Sequence, residues 1–413
     1  MSFRRIAAGV LASLPIAMSA LAADTIKIGF IDPLSGTFAN VGEQGKRTLQ
    51  MLIEELNAAG GAQGQQFELI ALDSKANPQE ALLQFQQLAD QKVHFFFQGN
   101  SSAVAGALTD AVSKHNSRNP DNIILFFNYG AVDPALTNDR CSYWHFRFDA
   151  DADMKMAALT NFMATQKKMK KVYLINQDYA FGQAVSKGAK EMLAKKRPDI
   201  QIVGDDLHPL GKVKDFAPYV AKIKASGADS VVTGNWGADL ALLVKAGKEA
   251  GLKVDYYTYY AGIAGAPTAI GEAGDGQVKQ VSHWFNNVGD SKSDAMVKTF
   301  RKRFPDVKDD FYWLDLKNAM DMLVKAMNDT KSTDPLKVAK ALEGMKLTAF
   351  TGEITMRADN HQMLQPMYIS TFTKVGSSGV KYDVERTGMG FRSEGRVGPS
   401  ETMTPTTCKM QRP

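Results

Sequence analysis

The feature that most restricts the fold of this chain is an alternation of short apolar runs with longer amphipathic ones, and it occurs twice. Thr25–Ile31 reads as a buried strand, and Gly42–Ala59 as a helix with Leu49, Leu52, Ile53 and Leu56 on one face. That three-and-four spacing is helical, and Gly60-Gly61 ends it. Phe67–Leu72 then reads as a strand, Pro78–Gln91 as a helix, Val93–Gln98 as a strand, Ala103–His115 as a helix and Ile123–Asn128 as a strand. Short apolar strands separated by helices suit a parallel sheet covered on both faces, because parallel neighbours need a crossover between them.

The pattern restarts at Lys171–Asn176, followed by a helix over Gly182–Lys196 and a strand over Ile200–Asp205. A helix over Phe216–Ser226, a strand over Ser230–Thr233, a helix over Ala238–Gly247 and a strand over Val254–Tyr260 continue it. Phe67–Asn100 and Ile200–Asn235 share one layout: strand, Asp73 or Asp206, helix, strand, and Gly-Asn at 99–100 or 234–235. Two similar doubly wound, Rossmann-like lobes account for this better than one long sheet. Beyond Gly276 come a strand over Val278–Phe285 and helices over Ser293–Phe304, Asp315–Asn328 and Pro335–Leu342. Short strands over Thr351–Ile354, Met367–Phe372 and Tyr382–Val384 suit antiparallel additions.

The 413 residues are enough for two or three domains, each with a core of its own. With 49 Lys+Arg against 44 Asp+Glu the net charge is only +5, and no basic block offers a phosphate-binding surface, so nucleic acid is excluded as a partner. Arg4 and Arg5, the apolar run Ile6–Ala22 and the small-x-small end Ala20-Leu21-Ala22 form a secretory signal, with residues 1–22 removed on export. Pro15 within the run argues against a transmembrane anchor. Cys141 and Cys408 are the only thiols, and in an oxidising compartment they are expected to form a disulfide.

Ligands on doubly wound sheets bind beyond the carboxyl ends of strands. Those ends here hold Gly, hydroxyls and aromatics but few charges. Ser101 and Ser102 stand where a helix begins and could offer hydroxyls to a carboxylate, although helix capping alone would also explain them. Tyr129, Phe181, Trp236 and Tyr260 recur at strand ends in both halves and could close over an apolar or aromatic ligand. Catalytic signatures are missing: the chain has no Gly-x-Ser-x-Gly elbow, no complete Gly-x-Gly-x-x-Gly and no phosphate loop. The six histidines lack metal-ligand spacing, and Asp149, Asp151 and Asp153 read as a solvated helix entry rather than a calcium loop.

The ordered set Ile26–Phe30 with Leu34-Ser35-Gly36, Asn57–Gly61, Asp73, Ser101-Ser102, Gly130–Thr137 and Asp178–Gln183 resembles the periplasmic leucine/isoleucine/valine-binding proteins, the substrate-binding components of branched-chain amino acid ABC transporters. The resemblance runs from about Asp24 to Phe372. It implies the type I periplasmic binding fold, two lobes joined by three crossovers and closing on a ligand between them. The crossovers are expected near Arg147–Asp149, Gln280–Trp284 and Phe350–Met356, giving lobe 1 as 23–148 plus 285–352, and lobe 2 as 149–284 plus 353–413 with the tail.

By the same resemblance Ser101 or Ser102 and the backbone near Ala131 hold the ligand's carboxylate. The candidate ligand-binding set is Phe38, Asn100, Ser101, Ser102, Tyr129, Gly130, Ala131, Tyr179, Phe181, Asn235, Trp236 and Tyr260. The family's handles for an α-ammonium are changed. Val132 replaces a Thr, Phe181 a Tyr and Ala261 an acidic residue, and Val41 stands where a Trp is common; Asp178 is the nearest acid that could substitute. The expected protein is therefore a monomeric, non-enzymatic periplasmic solute-binding protein without cofactor or metal. It takes a small carboxylate-bearing ligand, an amino acid or an aromatic or aliphatic acid, and delivers it to an ABC permease. A ligand-sensing module of the same fold and a secreted α/β enzyme are the alternatives.

Overall fold

The computed structural model describes residues 25–413, so the expected signal at 1–22 lies outside the described residues. The first alternation forms β1 (Ile26–Asp32), α1 (Ala39–Ala58), β2 (Phe67–Asp73), α2 (Pro78–Asp90), β3 (Phe95–Gln98), α3 (Ser102–Arg118), β4 (Leu125–Asn128) and β5 (His145–Arg147). The chain then runs through α4 (Ala152–Thr165), β6 (Lys171–Gln177), α5 (Ala180–Lys196), β7 (Gln201–His208), α6 (Ala217–Ser226), β8 (Ser230–Thr233), α7 (Ala238–Glu249), β9 (Asp255–Thr258), α8 (Ala266–Ile270) and β10 (Val278–Ser282). The last part is α9 (Ser291–Arg303), α10 (Leu314–Thr330), α11 (Pro335–Leu342), β11 (Lys346–Ala349), β12 (Gly352–Met356), β13 (Met363–Leu364), β14 (Met367–Lys374), β15 (Met389–Val397) and α12 (Pro399–Thr402).

One five-stranded sheet has the order β2-β1-β3-β4-β5, all parallel. The seven-stranded sheet repeats that order as β7-β6-β8-β9-β10, then adds β14 and β15 antiparallel at the β10 edge. In both, strand order reverses beside the first strand, which opens a crevice at the carboxyl ends. The two crevices face each other. Phe95, Phe96, Phe97, Phe126 and Phe127 fill the first sheet and are all buried, with Phe96 stacked on Phe126 at 4.8 Å.

The chain passes between the sheets three times. It leaves β5 for α4 through Phe148–Asp151, leaves β10 for α9 from His283 onward, and returns after β13 through Gln365 and Pro366. Against the expectation of a third passage at 350–356, residues 346–364 form their own three-stranded sheet, and Gln362 bridges Arg147 beside β5. The first element after α11 to join the larger sheet is β14. The expected strand Tyr382–Val384 is a loop, whose backbone at Lys381 and Tyr382 donates to Asn287 Oδ1 (2.9 and 2.8 Å). The edge strand is instead β15, which has a polar outer half. Cys141 and Cys408 are disulfide-bonded. Among the described residues no helix is long and apolar enough to cross a membrane.

Candidate functional site

The floor of the crevice in the first sheet is built on a buried acid. Asp32, at the end of β1, accepts the Gly99 amide (3.2 Å), the Asn100 amide (2.9 Å) and the Tyr129 hydroxyl (2.5 Å). Burial pushes its carboxyl up to about 7 although these donors pull the other way. Gln98 Nε2 donates to Asn100 O (2.7 Å) and Asn100 Nδ2 to Tyr129 Oη (3.0 Å). The tightened loop leaves Ser101 at φ +85°, ψ 110°, a region costing a non-glycine residue about 1–3 kcal/mol. Its hydroxyl is buried and has no protein partner, directly before the first turn of α3.

Ser102 and Asn128 are already engaged, whereas Gln98 Oε1 and the indole N–H of the lining residue Trp313 are also without a partner. Ser102 Oγ accepts the Asp133 amide (3.2 Å). Asn128 Oδ1 accepts the Gly130 and Ala131 amides (3.2 and 2.8 Å), and Asn128 Nδ2 donates to Ala131 O (2.8 Å). The Ala131 amide is therefore held by Asn128 rather than free as the resemblance implies, and Ala131 belongs to the buried apolar cluster that includes Val104, Ala105 and Leu108. Gly130 lies under Trp313, where a Cβ would come within 3.0 Å of the indole ring.

The second sheet supplies the opposite wall. The Trp236 indole donates to the Tyr179 hydroxyl (2.9 Å), and Phe181 stands edge-on to Tyr179, Tyr259 and Tyr260. The Tyr260 hydroxyl reaches across to Gly130 O (3.2 Å), and lies 3.2 Å from Asp149 Oδ2 and 3.3 Å from Lys155 Nζ. Burial raises the Tyr179 and Tyr260 hydroxyls far above their ordinary pKa, so both stay neutral. At the mouth Phe38 from the first body stacks on Trp236 at 4.0 Å, and Asn40 Nδ2 donates to Ala264 O (2.8 Å).

Between these walls lies a small space, with a cavity volume of only about 20 Å³, lined by Gly99–Ser102, Gly130–Val132, Tyr179, Phe181, Trp236, Tyr260, Ile263 and Trp313. Of the candidate set, Asn100, Ser101, Ser102, Gly130, Ala131, Tyr179, Phe181, Trp236 and Tyr260 converge on this space. Three do not reach its lining. Tyr129 is turned toward Asp32, Asn235 toward His208 (3.0 Å), and Phe38 plugs the mouth. Four lining residues lie outside the candidate set: Gly99 and Val132, which adjoin members of it, and Ile263 and Trp313, which sequence reasoning missed. The aromatic run Phe311-Tyr312-Trp313 before α10 was the available signal for the latter. No lining residue carries a formal charge: Asp149 and Lys155 are paired (2.5 Å) behind Tyr260, and Asp178 does not line the space.

Residues 25–377 match the family model described as periplasmic binding protein. The Leu/Ile/Val-binding protein homolog 4 of Brucella melitensis is 30% identical over 408 residues, 95% of this chain and 94% of that protein. The solved leucine-, isoleucine-, valine-, threonine- and alanine-binding protein of Brucella ovis, in a closed conformation, is 28% identical and superposes with a TM-score of 0.83 over 95% of this chain and 100% of that one. A Rhodopseudomonas palustris ABC-transporter solute-binding protein solved with benzoate shares the fold, with a TM-score of 0.79 at 20% identity over 94% of this chain and 100% of that one. By the family match and by the closed two-lobed cleft alike, this chain belongs to the periplasmic binding protein family.

Proposed function

We propose that this chain is exported through residues 1–22 and acts in the periplasm as the monomeric substrate-binding component of an ABC importer. It closes on a small carboxylate-bearing ligand by hinge motion, releases it to the membrane permease, and makes or breaks no bond. The observation that carries the ligand class is the charge-free lining around one unpaired hydroxyl, that of Ser101, at the start of α3. A carboxylate there gains a hydroxyl hydrogen bond and the positive end of the helix dipole. An α-ammonium would have no carboxylate to face, and burying a charge without a partner costs several kcal/mol. The edge-on aromatic walls suit a planar or branched apolar body. The preferred ligand is thus an aromatic or short aliphatic acid without an ammonium group.

The names of the Brucella relatives favour a second reading, a branched-chain amino acid, with Gly130 O and Tyr260 Oη as the ammonium's acceptors. Calorimetry with valine against isovalerate, which differ by the ammonium alone, and with leucine against benzoate separates the two. Binding of isovalerate or benzoate with none of valine or leucine supports the first reading. The reverse pattern overturns it.

A further inference from the structure

All three passages between the sheets meet at one buried knot of charge beside the cleft. The first brings Asp149, the second His283 and the third Gln365, while Asp315 joins from the first turn of α10 and Lys155 from α4. All five are at most 1% exposed. His283 Nδ1 lies 2.9 Å from Asp315 Oδ2 and 3.6 Å from Asp149 Oδ1, close charge contacts without hydrogen-bond alignment, so both ring nitrogens and these two oxygens have no hydrogen-bond partner. Lys155 Nζ lies 2.5 Å from Asp149 Oδ2, and Gln365 Nε2 donates to Asp315 Oδ1 (2.9 Å) and Phe148 O (2.8 Å). Lys155 belongs to the second body and Asp315 to a helix packed on α1 of the first, so the knot spans the hinge. It also touches the ligand wall, because the Tyr260 hydroxyl contacts both Asp149 and Lys155.

Charge balance identifies what this knot must hold. Two carboxylates and one ammonium leave a net negative charge with water excluded, and one more positive charge closes the balance. We propose that protonated His283 is a positioning residue, bridging Asp149 and Asp315 so as to hold the lobes closed and orient Tyr260 toward the ligand. The inference rests on reading the cleft as the ligand site. The groups facing His283 are Asp149 from the first passage, Asp315 from α10 and the Tyr312 ring at 5.8 Å, with Lys155 and Tyr260 behind Asp149.

Titration runs the same way as the geometry. Burial alone would lower the imidazole pKa, but Asp315 and Asp149 outweigh it and raise His283 to about 9. Burial raises Asp315 to about 6, while Lys155 and His283 hold Asp149 below the usual range against its burial. Between those values the His283–Asp315 pair holds one proton, on the ring. A folded pKa above the ordinary 6.5 means the contribution is full below 6.5 and is lost as pH climbs through about 9. A divalent cation is the competing occupant, since one ligand atom from each of Asp149, His283 and Asp315 lies within 4.8 Å of the others. Beside Lys155 a doubly charged ion overshoots neutrality, whereas a proton matches it.

The test uses the full exported chain without ligand. Histidine-selective NMR should give His283 a titration midpoint above about 8, more than tenfold in proton affinity over a free imidazole. Small-angle scattering should show the chain expanding between pH 7 and 9.5, while His283→Gln is expanded at both; Asp315→Asn, should the first variant fold poorly, should lower the midpoint by at least about one unit. A midpoint at or below 6.5, a radius of gyration indifferent to pH and substitution, or a thermal midpoint moved by EDTA or zinc would each overturn the proposal. None of these three readouts involves benzoate or isovalerate, so a failure of either to bind would sink the ligand reading and leave this result standing.

Discussion

Ser101 concentrates two costs that folding alone does not repay, a left-handed backbone and a buried hydroxyl without a partner. Such strain persists where surrounding structure over-determines it, here the loop clamped on Asp32. Ser101→Ala should keep the strain and lose the hydroxyl, weakening ligand binding by about 1.5–3 kcal/mol, or tenfold to a hundredfold. Ser101→Gly should lose binding equally while gaining about 1 kcal/mol of stability, because glycine adopts this conformation freely. Calorimetry with isovalerate or benzoate, alongside urea unfolding, reads both; a Gly variant no more stable than the Ala one would remove the strain argument. Beneath it, the Asp32 pKa of about 7 means the folded state holds this proton more tightly than the unfolded chain. Its contribution therefore favours folding below about 4 and fades as pH rises to 7, so Asp32→Asn should flatten that part of the urea-unfolding profile. The sequence shows two serines at a helix start. Which one is free depends on φ at 101 and on the Asp133 amide, and neither leaves a mark in residue type. Trp313 was hidden for another reason, since its aromatic neighbours read equally well as core.

At the scale of elements, the two halves solve one packing problem with one residue. Gly42, near the start of α1, faces the carbonyl of Pro33, and Gly182, near the start of α5, faces that of Gln177; a Cβ at either would overlap the oxygen. The helix that follows β1 in one sheet and β6 in the other is thereby allowed close against the strand end it follows, which brings Phe38 and Phe181 to the mouth and wall of the cleft. Gly182→Ala should cost about 1–3 kcal/mol, the usual penalty of forced overpacking, and should also impair binding by displacing Phe181. Thermal unfolding together with calorimetry checks this, and a variant of normal stability and affinity would show that α5 can slide away cheaply. The parallel strands were legible because both faces are buried and their sequences are almost continuously apolar. β15 was not, because its outward half is polar and carries Gly395, while the more apolar Tyr382–Val384 is held in a loop by Asn286 and Asn287. Burial on a single face at a sheet edge leaves a weaker pattern.

For the whole molecule, the Cys141–Cys408 bond is a fourth link between bodies already joined three times by the chain. Cys141 precedes β5 of the first sheet, and Cys408 lies beyond β15 of the second, so the tail is carried back across the passages. It is also pinned by Thr406 Oγ1 to Thr137 O (3.0 Å), Arg357 to Thr404 O (2.9 Å) and the exposed pair Arg412–Glu343 (2.9 Å). The pairing of two cysteines was readable from their number alone, but this geometry was not, because it depends on the polar edge strand that ends beside the hinge. A bond closing a 267-residue loop would be worth up to about 5 kcal/mol if the reduced chain had to forfeit the whole loop entropy. Here cutting it frees only the residues after α12, while β14 and β15 remain paired, so the cost should be nearer about 2 kcal/mol. Replacing both cysteines by Ser should lower the thermal midpoint by a few degrees, expose the tail to limited proteolysis and leave ligand affinity within about twofold. Alkylation of the native chain without reductant should add no label. A loss near the full loop value, or a large fall in affinity, would mean the tail is part of the closing hinge rather than a strap laid over it.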